Sequence, residues 1–351
     1  MSIYRTSYYD RRKKNKKRLR LFFFAFAVII CVVVFFFVRG YSRISEQIIK
    51  TSDGKNVSLY IPTNADYQYV KDELKSLNVL TSESAFDWLA KRMDYDENVH
   101  PGRYILTDGM TNRELVNMLR MGHQTPVKVV FNNMRTVENL AKRISEQIEA
   151  DSATIINAIN SKDDVDATTF IPNTYEFYWN ISAEDFVGKM VAEHDRFWNE
   201  TRLQKAKDLK LTPREVSILA SIVEKETINT SEMPRIAGVY INRLNKNWLL
   251  QADPTLVFAL GDYSIKRVLD VHKNIESPYN TYKYVGLPPG PICIPSIAAI
   301  DAVLNAEKHK YFYFCAKDDM SGYHVFAKNI TEHNKNAEKY RKALNKNKIY
   351  K

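Results

Sequence analysis

Cysteine is scarce in this chain, with three among 351 residues. Cys31 lies within a long apolar run, so only Cys293 and Cys315 could meet, and nothing in the sequence supports a disulfide between them. Cys315 falls in the apolar stretch Tyr311-Phe312-Tyr313-Phe314-Cys315, where a free thiol serves as a small buried hydrophobe. The seven histidines are scattered, without His-Glu-x-x-His or paired-cysteine spacing, which argues against a protein-bound metal. No cofactor is expected. There is no internal repeat and no long low-complexity tract, so the chain beyond its N-terminus reads as ordinary globular sequence.

Also missing is an excess of one charge in the body of the chain. A net charge of +10 invites a nucleic-acid reading, since Lys and Arg neutralise phosphates. Yet nine basic residues and a single acid, Asp10, crowd into residues 1–20, and the rest of the chain is close to neutral. A nucleic-acid binder keeps its excess on the folded part, so neither DNA nor RNA is expected as a partner. Directly after the basic cluster, residues 21–38 are unbroken apolar sequence, about 27 Å as a helix and enough for a bilayer core. A cleaved signal peptide fits less well: the run exceeds the usual signal core, and Arg39-Gly40-Tyr41-Ser42 offers no small-x-small cleavage site. The expected layout is a cytoplasmic basic segment at 1–20, a single transmembrane helix at 21–38, and the rest outside the inner (cytoplasmic) membrane. That exported part is long enough for two ordinary domains.

Residues 39–124 read as a small α+β module. Short strands are expected at 47–49 and 57–61, around the turn-prone Ser52-Asp53-Gly54. Amphipathic helices follow at 67–77 and 83–93, then a strand at 102–106. Thr111-Asn112-Arg113-Glu114 is a capping box opening a helix that Gly122 can close. Residues 125–351 read as a helix-rich α+β unit with a small sheet. Its expected strands are 126–131, 311–316 and 323–327, and its expected helices 136–148, 153–159, 183–201, 213–227, 233–244 and 295–305.

One of these helices carries the candidate chemistry. Thr212, Pro213 and Glu215 mark its start with a capping box and a proline suited to the first turn. Val216, Leu219, Ile222 and Val223 form its apolar stripe, while Ser217, Ala220, Ser221 and Glu224 share an adjacent face. Small side chains beside an acid leave room for a ligand. Burial among apolar neighbours raises a glutamic acid toward neutral pH, as proton donation to a leaving oxygen requires. Glu226 is the rival acid. Helical geometry turns it about 200° from Glu224, so the two cannot face one substrate.

The run Ala220-Ser221-Ile222-Val223-Glu224-Lys225-Glu226-Thr227 resembles the signature of the membrane-bound endolytic murein transglycosylases, the MltG/YceG-like family. Further blocks follow in that family's order: Ile241-Asn242-Arg243-Leu244, Leu250-Gln251-Ala252-Asp253-Pro254-Thr255, Ser277-Pro278-Tyr279-Asn280-Thr281-Tyr282, and Gly286-Leu287-Pro288-Pro289-Gly290-Pro291-Ile292. His324-Val325-Phe326 and Glu332-His333-Asn334 close the pattern. The resemblance implies a LysM-like subdomain at 39–124 that grips glycan, and a catalytic domain at 125–351. It implies cleavage of the β-1,4 bond between N-acetylmuramic acid and N-acetylglucosamine in nascent peptidoglycan strands, leaving 1,6-anhydromuramoyl ends and terminating elongation. Peptidoglycan strands and synthases are the implied partners, and Glu224 the implied acid. Gln251, Asp253, Thr255, Asn280, Tyr282, Asn173, Tyr175 and Ser221 are the substrate-binding candidates. Asp253 before a proline reads as a turn initiator, or as the second carboxylate if one is used, as in a glycan hydrolase. A non-catalytic peptidoglycan-binding scaffold remains a rival reading. Ile294 and Ser296 depart from residues common in relatives, so the loop after the proline-rich stretch is expected to meet substrate differently.

Overall fold

The structure, a computed structural model, describes residues 3–346 apart from 52, 133 and 266. It divides into two compact units after Pro126. The chain is α+β, many helices with three two-stranded antiparallel sheets among the described residues.

The first unit begins with α1 (Ile3–Ser45). Within it Leu19–Ser45 is long and apolar enough to cross a membrane, and none of that apolar stretch is buried. The span expected at 21–38 lies inside it. Next come β1 (Val57–Ile61), α2 (Tyr67–Ser76), α3 (Glu83–Arg92), β2 (Gly102–Leu106) and α4 (Asn112–Arg120). The two strands pair antiparallel with Leu59 opposite Tyr104. Alternation along β2 sends Tyr104 and Leu106 inward, where they join Leu59, Ile61, Val70, Leu74, Phe86 and Leu115 in one core. The Thr111–Glu114 capping box forms as expected, and Gly122 ends the helix at φ +64°, a conformation that costs glycine little. The end of α1 is tied into this core: buried Asn112 donates from Nδ2 to Arg43 O at 3.0 Å and to Ala85 O at 2.8 Å. The strand expected at 47–49 is reduced to isolated bridges, Gln47 to Thr111 and Ile49 to Leu80.

The second unit opens with β3 (Val127–Phe131), α5 (Val137–Ser145), α6 (Ser152–Asn160) and β4 (Asn173–Phe177), the strands pairing antiparallel. Then follow α7 (Ala183–Phe197), α8 (Glu200–Asp208), α9 (Pro213–Glu226), α10 (Met233–Leu244), α11 (Asp253–Leu260), α12 (Ile297–Leu304), β5 (Tyr313–Ala316), β6 (His324–Ala327) and α13 (Ile330–Lys346). The helix expected at 183–201 breaks at Trp198, because the Asn199 side chain accepts Arg202 N at 3.1 Å and starts α8. One core gathers around β3, β4 and α5–α7. A second is centred on α9, whose residues Val216, Leu219, Ile222 and Val223 meet Ile236, Tyr240, Ile300 and Val303. The predicted apolar stripe of α9 is therefore the heart of the unit. The three cysteines are free, and burial pushes the Cys293 thiol up to about 12.

Candidate active site

Helix α9 starts as its sequence dictates. Thr212 accepts Glu215 N, and the Glu215 carboxylate accepts Thr212 N at 2.8 Å. Its face of small residues, however, is filled by protein. Ser217, Ala220 and Ser221 are buried; Ser221 Oγ donates to Ile218 O at 2.7 Å and accepts Ile292 N at 3.0 Å. The room expected beside Glu224 is thus taken by residues 292–297 and α12, because small side chains also let a neighbouring backbone approach closely. Glu224 itself is partly exposed and capped: Ser296 Oγ donates to its Oε2 at 2.5 Å and Ser296 N at 3.3 Å. The departure at Ser296 therefore bears directly on this carboxylate.

The other face of the helix end is open. Glu226, the last residue of α9, lines two cavities of about 300 and 340 Å³, and Asp253 lines both with it. The surrounding protein strips water from the Glu226 carboxyl and raises its pKa to about 7, with the Asp253 charge adding to the effect. Its place at the helix C-terminus, where peptide dipoles point their negative ends, works in the same direction. Tyr240 OH donates to Glu226 Oε1 at 2.5 Å and, with Arg243, opposes the rise. Arg243 is buried, and its cation is consumed by three carbonyls, Phe312 O at 2.7 Å, Leu249 O at 3.3 Å and Leu250 O at 2.7 Å. Across the same cavity Tyr313 stacks on His333, whose pKa is lowered chiefly by burial.

Of the predicted binding residues, Asp253, Gln251 and Tyr282 come together at this cavity. Asp253 opens α11 rather than a turn, with Pro254 in the first helical turn. Its Oδ1 accepts the Tyr282 hydroxyl, whose pKa rises mainly through burial. Gln251 takes a positive φ of 52° and donates its N–H to Thr281 O. Other predicted contacts are structural. Asn280 is fully buried, donating to Lys273 O and Ile275 O and accepting Tyr282 N. Thr255 is fully buried between Ala252 O and the Thr281 hydroxyl. These two hold the Asp253 and Tyr282 backbones in place and have no surface left for a sugar. Tyr175 is a core residue, stacked on Phe131 and donating to Ile171 O at 2.6 Å. Asn173 is exposed at the start of β4, accepting Thr174 N, and Ser221 is buried in the small-residue face. Tyr240, Arg243 and His333 are site residues that the sequence pattern did not single out, although Arg243 and His333 lie in the family-like blocks at 241–244 and 332–334. A polar or aromatic residue inside an apolar helix pattern was the signal for Tyr240.

The molecule thus combines an apolar N-terminal helix with an α+β unit whose central helix, α9, ends in a glutamic acid that lines two cavities. The chain belongs to the YceG-like family, whose model matches residues 59–339. It is 29% identical to a protein of Bacillus subtilis named endolytic murein transglycosylase, over 86% of this chain and 89% of that one. A protein of the same name from Streptococcus pneumoniae is 27% identical over 86% of this chain but only 62% of its own length. The crystal structure of a YceG-like protein of Listeria monocytogenes superposes with a TM-score of 0.54 at 27% identity, covering 81% of this chain and 99% of that one.

Proposed function

We propose that this protein is an endolytic murein transglycosylase and that Glu226, rather than Glu224, is its acid. The observation that carries this reading is the Glu226 carboxyl, raised to about 7 and facing both cavities, in a chain similar to proteins named for that activity. A donor of matched pKa, held in the right geometry, supplies roughly 10²–10⁴-fold of rate. Glu226 protonates the glycosidic oxygen between N-acetylmuramic acid and N-acetylglucosamine. The resulting carboxylate then takes the proton of the muramoyl 6-hydroxyl, which attacks its own anomeric carbon and closes a 1,6-anhydro ring. Asp253, on the same two cavities, carries the negative charge that favours the cationic transition state. Glu224, held by Ser296, serves to fix the end of α9 against α12.

In this reading α1 tethers the second unit to the outer face of the cytoplasmic membrane, where new strands emerge beside the synthases, and the first unit is a LysM-like glycan grip. Digestion of un-crosslinked strands by the full chain in detergent tests the chemistry: 1,6-anhydro ends lost in Glu226→Gln are expected. Ordinary reducing ends would point instead to hydrolysis by Glu226 with Asp253. Strand binding with no cleavage would leave a scaffold.

A further inference from the structure

The two cavities that meet at Glu226 differ in what their cations are doing. On one side Arg243 is committed to three backbone carbonyls and lies over the Tyr313 ring at 5.2 Å. On the other, Arg135 and Lys225 line a cavity whose remaining wall is mostly apolar, with Pro254, Val257 and Phe258. Among the described residues neither Arg135 nor Lys225 makes an ion pair. The Arg135 guanidinium lies 3.7 Å above the Tyr263 ring. That stacking holds the planar fork in place while leaving its N–H edge to find an acceptor, so little rotamer freedom remains to be lost on binding. The two acids that also face this cavity, Glu226 and Asp253, stand where it meets the other, and Asp253 already accepts the Tyr282 hydroxyl.

A murein strand alternates in the same sense. N-acetylglucosamine is neutral, whereas each muramoyl residue bears a lactyl ether extended by a peptide stem rich in carboxylates. Resting on the transglycosylase reading above, we propose that the Arg135–Lys225 cavity receives the muramoyl side of the cleaved bond and pairs with stem carboxylates. The Tyr240–Tyr313 cavity then receives the neutral sugar. The two residues make the enzyme selective for strands with acidic stems and give the acid a fixed direction along the strand.

Binding is measured on the full chain in detergent carrying Glu226→Gln, so that nothing is cut. The probes are a murein tetrasaccharide with intact stems and the same compound with its stem carboxylates converted to amides. The double change Arg135→Gln and Lys225→Gln is expected to weaken the acidic probe about tenfold, in the range of a close charge pair at an interface, and the amidated probe far less. Arg135→Lys restores part of the loss, and the acidic probe alone binds more weakly as salt rises. Equal weakening of both probes, or none, overturns the subsite, as does failure of both probes to bind. Charge-dependent binding in a protein whose wild type yields no anhydro ends would leave the subsite standing and remove the transglycosylase reading instead.

Discussion

Glu224 and Glu226 are two residues apart on one helix, yet their surroundings share almost nothing. On the Glu224 side, buried Ser217, Ala220 and Ser221 let the 292–297 segment and α12 lie against α9, and Ser296 donates to the partly exposed carboxylate. The Glu226 side opens on two cavities, and its carboxyl is held near neutrality by desolvation. Small residues on a helix can admit either a ligand or another piece of backbone, and here the backbone arrives first. The open space lies instead at the helix end, in the two cavities that Glu226 and Asp253 line, one of them walled also by Pro254, Val257 and Phe258 of α11.

The widest separation between the two sides is expected in turnover. Glu226→Gln should lower strand cleavage by about 10³-fold, and Glu224→Gln by less than about tenfold, in the range of general-acid contributions; equal losses would erase the distinction. Next in size, Arg243→Met strands three carbonyls that the buried guanidinium holds and should cost about 3 kcal/mol in denaturant unfolding.

The Glu226 carboxyl also makes stability depend on pH. Its folded pKa is raised, so the folded state holds its proton through the window from about 4.5 to about 7 while the unfolded chain releases it. Stability therefore falls as pH rises through that window, by up to about 3 kcal/mol. Glu226→Gln removes this loss, so the variant should gain in Tm relative to wild type between pH 4.5 and 7.5. Tyr240→Phe deletes the hydrogen bond that holds the Glu226 pKa down, and the alkaline limb of the activity profile should move to higher pH; a move to lower pH would contradict the assigned role. The smallest effect belongs to the Glu224 side. Ser296→Ala removes the N-cap of α12 and a Glu224 partner, costing about 1 kcal/mol of stability with little change in cleavage.

Much of the fold was legible because it follows local rules. The boundaries of α4 and α9 were set by Thr111–Glu114 and Thr212–Glu215, whose caps depend only on residues three apart. The strand at 102–106 followed from alternation, and the long apolar helix from composition. The helix at Asp253 was missed because Asp-Pro serves both a turn and a helix start, and only packing against α9 decides between them. Asn280, Thr255 and Tyr175 are polar or aromatic residues of a kind that suits both a binding loop and a buried hydrogen-bond network. Which of the two they serve depends on neighbours from distant sequence.

The same division holds at the site. Period, capping and composition are enough to run an amphipathic helix from Pro213 to its acidic end, to turn Glu224 and Glu226 different ways, and to place an apolar helix before a near-neutral body. Those are matters of period, capping and transfer of apolar surface, all local or compositional. That the Glu226 carboxyl loses water depends on how distant segments pack around it. At Glu226 burial raises the carboxyl pKa, the Asp253 charge of α11 adds to the rise and the Tyr240 hydroxyl of α10 opposes it, and no spacing along the chain encodes that meeting.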